Sequence, residues 1–466
     1  MKTQQLAKPA PGFFWSVCGI AVPVALQSML QSSFAMVDQV MIGQLGSAGV
    51  AGVGTAGKFS YILSVVVSAI GAVAGIMISQ YIGQKNEREV ERSFLINLTA
   101  AMGIAAIFTL VCMCFSRNIL GLYTSDNRII ETGAEYLTIT AAAFLPSAGA
   151  ALGSVMLRCM EKAALPLYAS ILSAVLNTLL NYILIFGKIG IKPMGVSGAA
   201  TATVISQWVN MAMIVMMLYC NRYRGQEKYR KRKEYGERAV FQWKQYGAIL
   251  FPLLICEFMW SLGENSYAAV YGHLGLASSA AMILNNPVQG MVTGALCGLS
   301  QAAGVMIGKR LGKGQSEEAY EESKRLMLYG LAGSLILSAL VAFGRLFYVE
   351  IYQVEEEVKV LAAKSLMVYA VLAPVKVENM ILGGGILRSG GKTKYIMAID
   401  LAGTWVFGVP LALISGFVLD FPVYWVYFIL SMEECVRLGI SLLLFRKRKW
   451  MHQFTTFVDS PITNSP

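Results

Sequence analysis

Apolar residues run along this chain in long blocks separated by short polar stretches. A helix that crosses a bilayer needs about 20 predominantly apolar residues. Twelve windows reach that length: Phe14–Ile42, Val53–Ile82, Phe94–Phe115, Tyr136–Leu157, Leu165–Phe186, Ser197–Leu218, Gly247–Val270, Ala277–Ile307, Leu326–Phe347, Ser365–Leu387, Tyr395–Val418 and Tyr424–Leu444. Pro23, Pro146, Pro252, Pro287, Pro374 and Pro410 fall inside them. In a bilayer such prolines kink a helix without abolishing it. The pattern predicts an all-α membrane protein with twelve transmembrane helices.

Composition agrees. Of the 466 residues, 56% are hydrophobic and 14% are Asp, Glu, Lys or Arg, against about 25% charged in soluble domains. A cytosolic enzyme and a solvent-exposed repeat scaffold are both excluded. The net charge of +11 could suggest a nucleic-acid partner, but its placement argues otherwise. With a cytoplasmic N-terminus, the cytoplasmic segments hold 28 of the 38 basic residues, the outer loops seven and the spans three (Lys58, Lys376, Arg437). That split obeys the positive-inside rule. It predicts a multi-pass protein of the plasma or inner membrane with both termini cytoplasmic. Its longest basic stretch, RYRGQEKYRKRKEYGER from Arg222, reads as a linker held against anionic headgroups. No nucleic acid is expected as a partner, only membrane lipids.

That linker divides a repeat. Pro23, Gly43, Gly46, Gly75 and Gly83 recur 229 residues later as Pro252, Gly272, Gly275, Gly304 and Gly312, and Leu157-Arg158 recurs at offset 230 as Leu387-Arg388. Six spans per copy give both copies one orientation. Parallel repeats of this kind are a transporter architecture, with the substrate site at the repeat interface. The expected organisation is a cytoplasmic N-terminus (1–13), a first six-helix lobe (14–221), the linker (222–244), a second lobe (245–449) and a cytoplasmic tail (450–466), working as a monomer.

Charged and amide side chains inside the spans are the candidates for chemistry, because a charge at the centre of a spanning helix costs about 2.5–3.5 kcal/mol on insertion scales. The first span carries Gln27, Gln31 and Asp38; the fifth Asn177 and Asn181; the seventh Glu257, Trp260 and Glu264; the eighth Asn285, Gln289 and Thr293; the tenth Lys376, Glu378 and Asn379. Spacings of three, four and seven put most of each set on one helix face, and bundles turn such faces inward. Asp38 and Glu257 have no basic residue within a helical turn and are favoured as the coupling groups, Asp38 first. Gln31, Glu257, Trp260, Glu264, Asn285, Gln289 and Glu378 are expected to line the substrate path. Asn177, Asn181, Asn285 and Gln289 equally fit plain interhelical hydrogen bonds, and Glu378 fits an ion pair with Lys376. Glu433, Glu434 and Arg437 read as a local pair with an interhelical contact. The eight cysteines read as small hydrophobes. Phosphate-binding loops, serine-nucleophile elbows and zinc-helix motifs are missing, so the chain is not expected to be an enzyme or to hold a cofactor. Gly383–Gly385 reads as close helix packing.

The chain resembles the multidrug and toxic compound extrusion (MATE) transporters, of the multidrug/oligosaccharidyl-lipid/polysaccharide flippase superfamily. The likeness is carried by PVALQSMLQSSFAMVDQVMIGQLG from Pro23, NTLLNYILIFG from Asn177, GVSGAA from Gly195, WVFGVPLA from Trp405 and LRSGGKT from Leu387, in the family's order over about residues 14–450. It implies two lobes around a central cleft, exporting organic, mostly cationic, compounds against H+ or Na+. It implies that Asp38 and Asn177 form a cation site, with Asn181 as a further ligand should the ion be Na+, and that Glu257 and Glu378 lie near acidic positions of the second lobe. Asn181 stands where many members have Asp. The first Leu-Arg turn, LRCMEK, lacks the usual glycines. A flippase or exporter of a lipid-linked or other amphipathic metabolite is the alternative. Those proteins typically have fourteen spans and a cationic cavity, whereas the candidates here are mainly acidic.

Overall fold

In a computed structural model, residues 12–188, 190, 192–226, 243–352 and 354–454 are described. Most of the basic linker, the first eleven residues and the last twelve therefore lie outside the described residues. The helices are α1 (Phe13–Gly43), α2 (Ser47–Gly83), α3 (Glu87–Gly121), α4 (Asn127–Cys159), α5 (Ala164–Phe186), α6 (Gly195–Gln226), α7 (Trp243–His273), α8 (Leu276–Gly312), α9 (Ser316–Glu350), α10 (Glu356–Leu387) and α11 (Thr393–Val418). These eleven are long and apolar enough to cross a membrane. The twelfth window is two helices, Val423–Leu430 and Met432–Arg446, meeting at Ser431 and together called α12. Glu433, Glu434 and Arg437 dilute its apolar character just past the break.

The burial pattern is that of a protein in lipid. Large apolar side chains face outward, Phe343 and Leu276 at 88% exposure among them, while small and polar residues such as Ser79, Gln80, Asn97, Ser323 and Ser365 are fully buried. Where lipid already solvates apolar surface, helices associate through close backbone approach and hydrogen bonds.

The sequence repeat is a backbone repeat. Gly46 and Gly275, 229 apart, both precede a helix with positive φ (88° and 108°). After α2 the chain turns through Lys85 at φ 57°, and after α8 through Gly314 at φ 74°. After α4 it turns through Glu161 at φ 61°, and after α10 through Gly391 at φ 73°. The closing bonds match as well: Asn86 N to Tyr81 O and Gln315 N to Arg310 O are both 3.0 Å, and Glu161 N to Arg158 O and Gly391 N to Arg388 O are both 2.9 Å. The glycine-free first Leu-Arg turn therefore keeps the geometry of its repeat partner, with Glu161 in the left-handed region that glycine favours.

The two halves meet along α1, α2 and α8. A Cβ on Gly298 would lie 2.0 Å from Ala21 O, one on Gly312 2.0 Å from Gln80 O, and one on Gly83 2.2 Å from Lys309 O. Gly83 and Gly312 are repeat partners, so the approximate twofold passes beside them. This is the end of the bundle where the basic turns gather. Gly385 sits against Ser300 O on α8, which a Cβ would approach to 2.5 Å, so the glycine triplet does serve packing. The backbone over Met380–Leu387 widens there into π-helical turns, as it does over Ala402–Gly408 and Ile414–Val418 in α11.

The same end is crossed by the segment after α12. Trp450 and Phe454 are buried. Gln80 of α2 donates to Ser389 O (2.7 Å) and His452 O (3.1 Å) and accepts from Phe454 N (2.9 Å). Gln453 donates to Gly312 O at 2.8 Å, and Lys309 pairs with Glu161 at 2.6 Å. Contacts between the halves thus concentrate at the basic end.

Candidate functional site

In the first half, three candidates meet. Asn181 donates to Asp38 Oδ1 at 2.6 Å and lies 3.2 Å from Asn177 Oδ1. Both asparagines lie on one face of α5, four residues apart, and that face packs on α1. Turned so that its amide nitrogen faces the carboxylate, Asn177 stands 2.9 and 3.1 Å from the two Asp38 oxygens. Asn181 Oδ1 is buried with no donor, and Ser206 and Thr203 of α6 stand within 3.3 and 3.5 Å of the Asn177 amide. Asp38 is held by neutral donors alone, and no basic side chain pairs with it among the described residues. Amide donors orient a carboxylate without cancelling its charge, so the group stays available to a proton or a cation.

Beside this cluster a cavity of about 550 Å³ opens between the halves. Thr140, Thr203 and Gln207 line it from the first half, and Ser300, Gln301 and Gly384 from the second. Arg158 and Arg388 line it too. They lie one residue beyond the predicted spans that end at Leu157 and Leu387, yet both belong to the helix ends and face the cavity. A signal for this was present in the Leu-Arg repeat, but a boundary uncertain by a few residues conceals it.

The second half holds its charges differently. Glu257 accepts from Arg388 at 3.4 and 3.5 Å. A partner on another helix thus corrects the expectation of an unpaired Glu257. Trp260, one turn on, is 43% exposed, and Glu264 is exposed as well. Tyr61 of α2 lies within electrostatic reach of both glutamates, so α2 and α7 face each other across the gap.

Deeper in the second half is a charge network. Tyr267 donates to Glu433 at 2.7 Å, Asn379 to Glu434 at 2.8 Å, and Arg437 to Thr404 at 2.6 Å. Arg437 also stands 4.0 Å from both Glu434 and Asp400, the local pair and interhelical contact that the sequence suggests. Lys376 stands 5.9 Å from the Tyr427 ring, near Glu434 and Glu264.

Glu378 and Asn285 depart from expectation, and Gln289 takes the second of its two readings. Glu378 is buried with neither oxygen hydrogen-bonded. It points at α9, where a Cβ on Gly330 would lie 3.2 Å from Oε1, so it neither pairs with Lys376 nor lines the cavity. Two residues apart on a helix, the two side chains leave on different faces. Asn285 is fully buried among the helices, its amide unpartnered, and is off the substrate path. Gln289 serves as an interhelical bridge, accepting from Tyr427 at 3.3 Å. Gln31 is exposed on α1, and Gln27 donates to Ser170 at 2.8 Å, tying α1 to α5.

A family model described as MatE matches the chain twice, over residues 23–183 and 252–414. The chain belongs to the MatE family. The two matched segments coincide with the two copies of the repeat. Among curated relatives of this MatE chain is a protein named "Probable multidrug resistance protein NorM" from Pasteurella multocida, 25% identical over 447 residues and covering 92% of each chain. Among solved structures, the bent form of the Vibrio cholerae MATE transporter VcmN superposes with a TM-score of 0.82 at 18% identity, covering 95% of this chain and 99% of that one. A MOP superfamily transporter from Pyrococcus furiosus, described as having a binding pocket of reverse polarity, superposes with a TM-score of 0.81 at 17% identity, covering 96% of this chain and 98% of that one. The structural likenesses show the MATE fold, and membership of the MatE family makes the chain a multi-pass, all-helical transporter.

Proposed function

We propose that this MatE protein is a multidrug exporter of the plasma membrane that exchanges organic cations for H+ or Na+ by alternating access between its two halves. The observation that carries the reading is Asp38: a carboxylate beside the central cavity, held by Asn181 and Asn177 and, among the described residues, paired with no basic side chain. An unpaired carboxylate can take up a proton or an alkali cation; for the cation, the amides of Asn181 and Asn177, whose nitrogens face Asp38, would turn their oxygens towards it. Exchange follows when coupling ion and drug compete for this acid. One charge moving through 100 mV supplies about 2.3 kcal/mol, enough to drive roughly a fiftyfold gradient of a neutral compound. Glu257, tied to Arg388, is the secondary group. The names of the relatives support the drug class, and the positive-inside split supports cytoplasmic termini, which would place the basic end inside.

A second reading, export of an amphipathic metabolite bearing an anion, is favoured by Arg158 and Arg388 in the cavity. Reconstituted vesicles decide between them. Under an imposed ΔpH or ΔpNa, an ethidium-like cation is expected to move against one of the two gradients. Movement under neither removes the antiport reading.

A further inference from the structure

The cavity between the halves is lined by two guanidiniums and by no carboxylate; Glu257, outside that lining, pairs with one of them. Arg158 and Arg388 occupy equivalent places in the repeat and line the same space. Glu257 pairs with Arg388 at 3.4 Å. Arg158 has no carboxylate within ion-pair distance among the described residues, and Nε of Arg388 is buried without an acceptor. The neighbouring cation Lys309 is already matched by Glu161 at 2.6 Å. An unpaired guanidinium lining a partly enclosed cavity attracts a counter-charge, and its planar fork matches a carboxylate with two parallel hydrogen bonds. Gln207, Gln301 and Ser389 add neutral donors around the same space.

We propose that Arg158, flanked by Arg388, forms an anion subsite that receives a carboxylate carried by the substrate. The cavity reaches from this subsite to Thr203, which stands beside Asn177 and so beside Asp38. A compound with an amine at one end and a carboxylate at the other would address both: its cation towards Asp38, its anion at Arg158. The export reading supplies the source of the anion; the subsite itself is a binding property. Free monovalent carboxylates and acidic lipid headgroups share the chemistry and are separated by competition.

The test uses the purified full chain in detergent and two aminoxanthene dyes, one with a free benzoate and the other its methyl ester, with binding read by fluorescence anisotropy. The acid dye is expected to bind about tenfold tighter than the ester, the size of one charge-assisted hydrogen bond. Sodium benzoate should displace the acid dye and spare the ester. Arg158→Ala should abolish the preference while leaving ester affinity within about twofold, and Arg158→Lys should keep part of it. Should Arg158→Ala fail to fold, the wild-type ratio and the benzoate competition still decide. Equal wild-type affinity for the two dyes overturns the proposal, as does an equal loss of both in Arg158→Ala, or displacement of the acid dye by phosphatidylglycerol but not by benzoate. Vesicle efflux is scored separately: if neither dye is exported while the acid preference holds, export fails and the subsite stands.

Discussion

Asp38 in the first half and Glu257 in the second both lie on the opening helix of their repeat, yet not at equivalent places. The repeat partner of Asp38 is Tyr267, which donates to Glu433, and that of Glu257 is Ser28. Asn177 and Asn181 correspond to Phe407 and Leu411. What duplicates is scaffold: the left-handed turns, the glycine contacts between halves and the Leu-Arg helix ends. What does not duplicate is the polar site. The first half leaves one carboxylate among amides with its charge intact. The second gathers six acids and sets three cations among them, Arg388, Lys376 and Arg437. A repeated fold thus supplies two similar walls, and the unrepeated residues make one of them responsive to cations.

The shared scaffold can be attacked first. Gly312→Ala places a methyl group 2.0 Å from Gln80 O at the contact between halves, and overpacking of this kind typically costs about 1–3 kcal/mol. A lower thermal midpoint in detergent is expected. Gly103→Ala, where nothing lies within 4 Å, should leave the midpoint unchanged or raise it.

A smaller effect separates the two carboxylates. Glu257→Gln strips Arg388 of its partner. The pair is partly exposed, at 24% and 20%, so the expected loss is about 1 kcal/mol, below the 3–5 kcal/mol of a fully buried pair. Efflux should slow and stay coupled to the counter-ion. Complete loss of coupling in Glu257→Gln would transfer the central role to the second half.

The smallest expected effect concerns the crossing segment at the basic end. Partial burial, and then Lys392, hold His452 below its ordinary value of 6.5. Released, the imidazole binds a proton near that value; docked, it resists. Docking is therefore full above about pH 6.5 and weakens as the pH falls through and below it. Hydrogen-exchange protection of the amides from Trp450 to Phe454 should decline over that window. Constant protection would show that His452 plays no part in seating the segment.

Twelve spans, the offset of 229 and the Asn177/Asn181 stripe were legible in the sequence, because helix length, glycine spacing and i, i+4 stripes are local signals; that Asp38 meets this stripe came from the family resemblance alone. Pairing across helices was not. Glu257 and Arg388 lie 131 residues apart, and nothing local brings them together. Rotation about the helix axis was equally hidden for Asn285: a polar residue on a spanning helix faces either a cavity or a neighbouring helix, and helix packing chooses. For Glu378 the two-residue spacing from Lys376 already spoke against their pairing. Arg158 and Arg388 were misplaced for a third reason: where a helix stops is read less surely than that it exists.

The account rests most heavily on Asp38, and Asp38→Asn in reconstituted vesicles tests it most directly. The substitution keeps the size of the side chain and its capacity to hydrogen-bond with Asn181 while removing the charge. Efflux of an organic cation driven by an imposed ΔpH or ΔpNa is expected to fall to the level of protein-free vesicles, with an unchanged elution profile and thermal midpoint. Gradient-driven efflux at the wild-type rate by the folded variant would contradict the account.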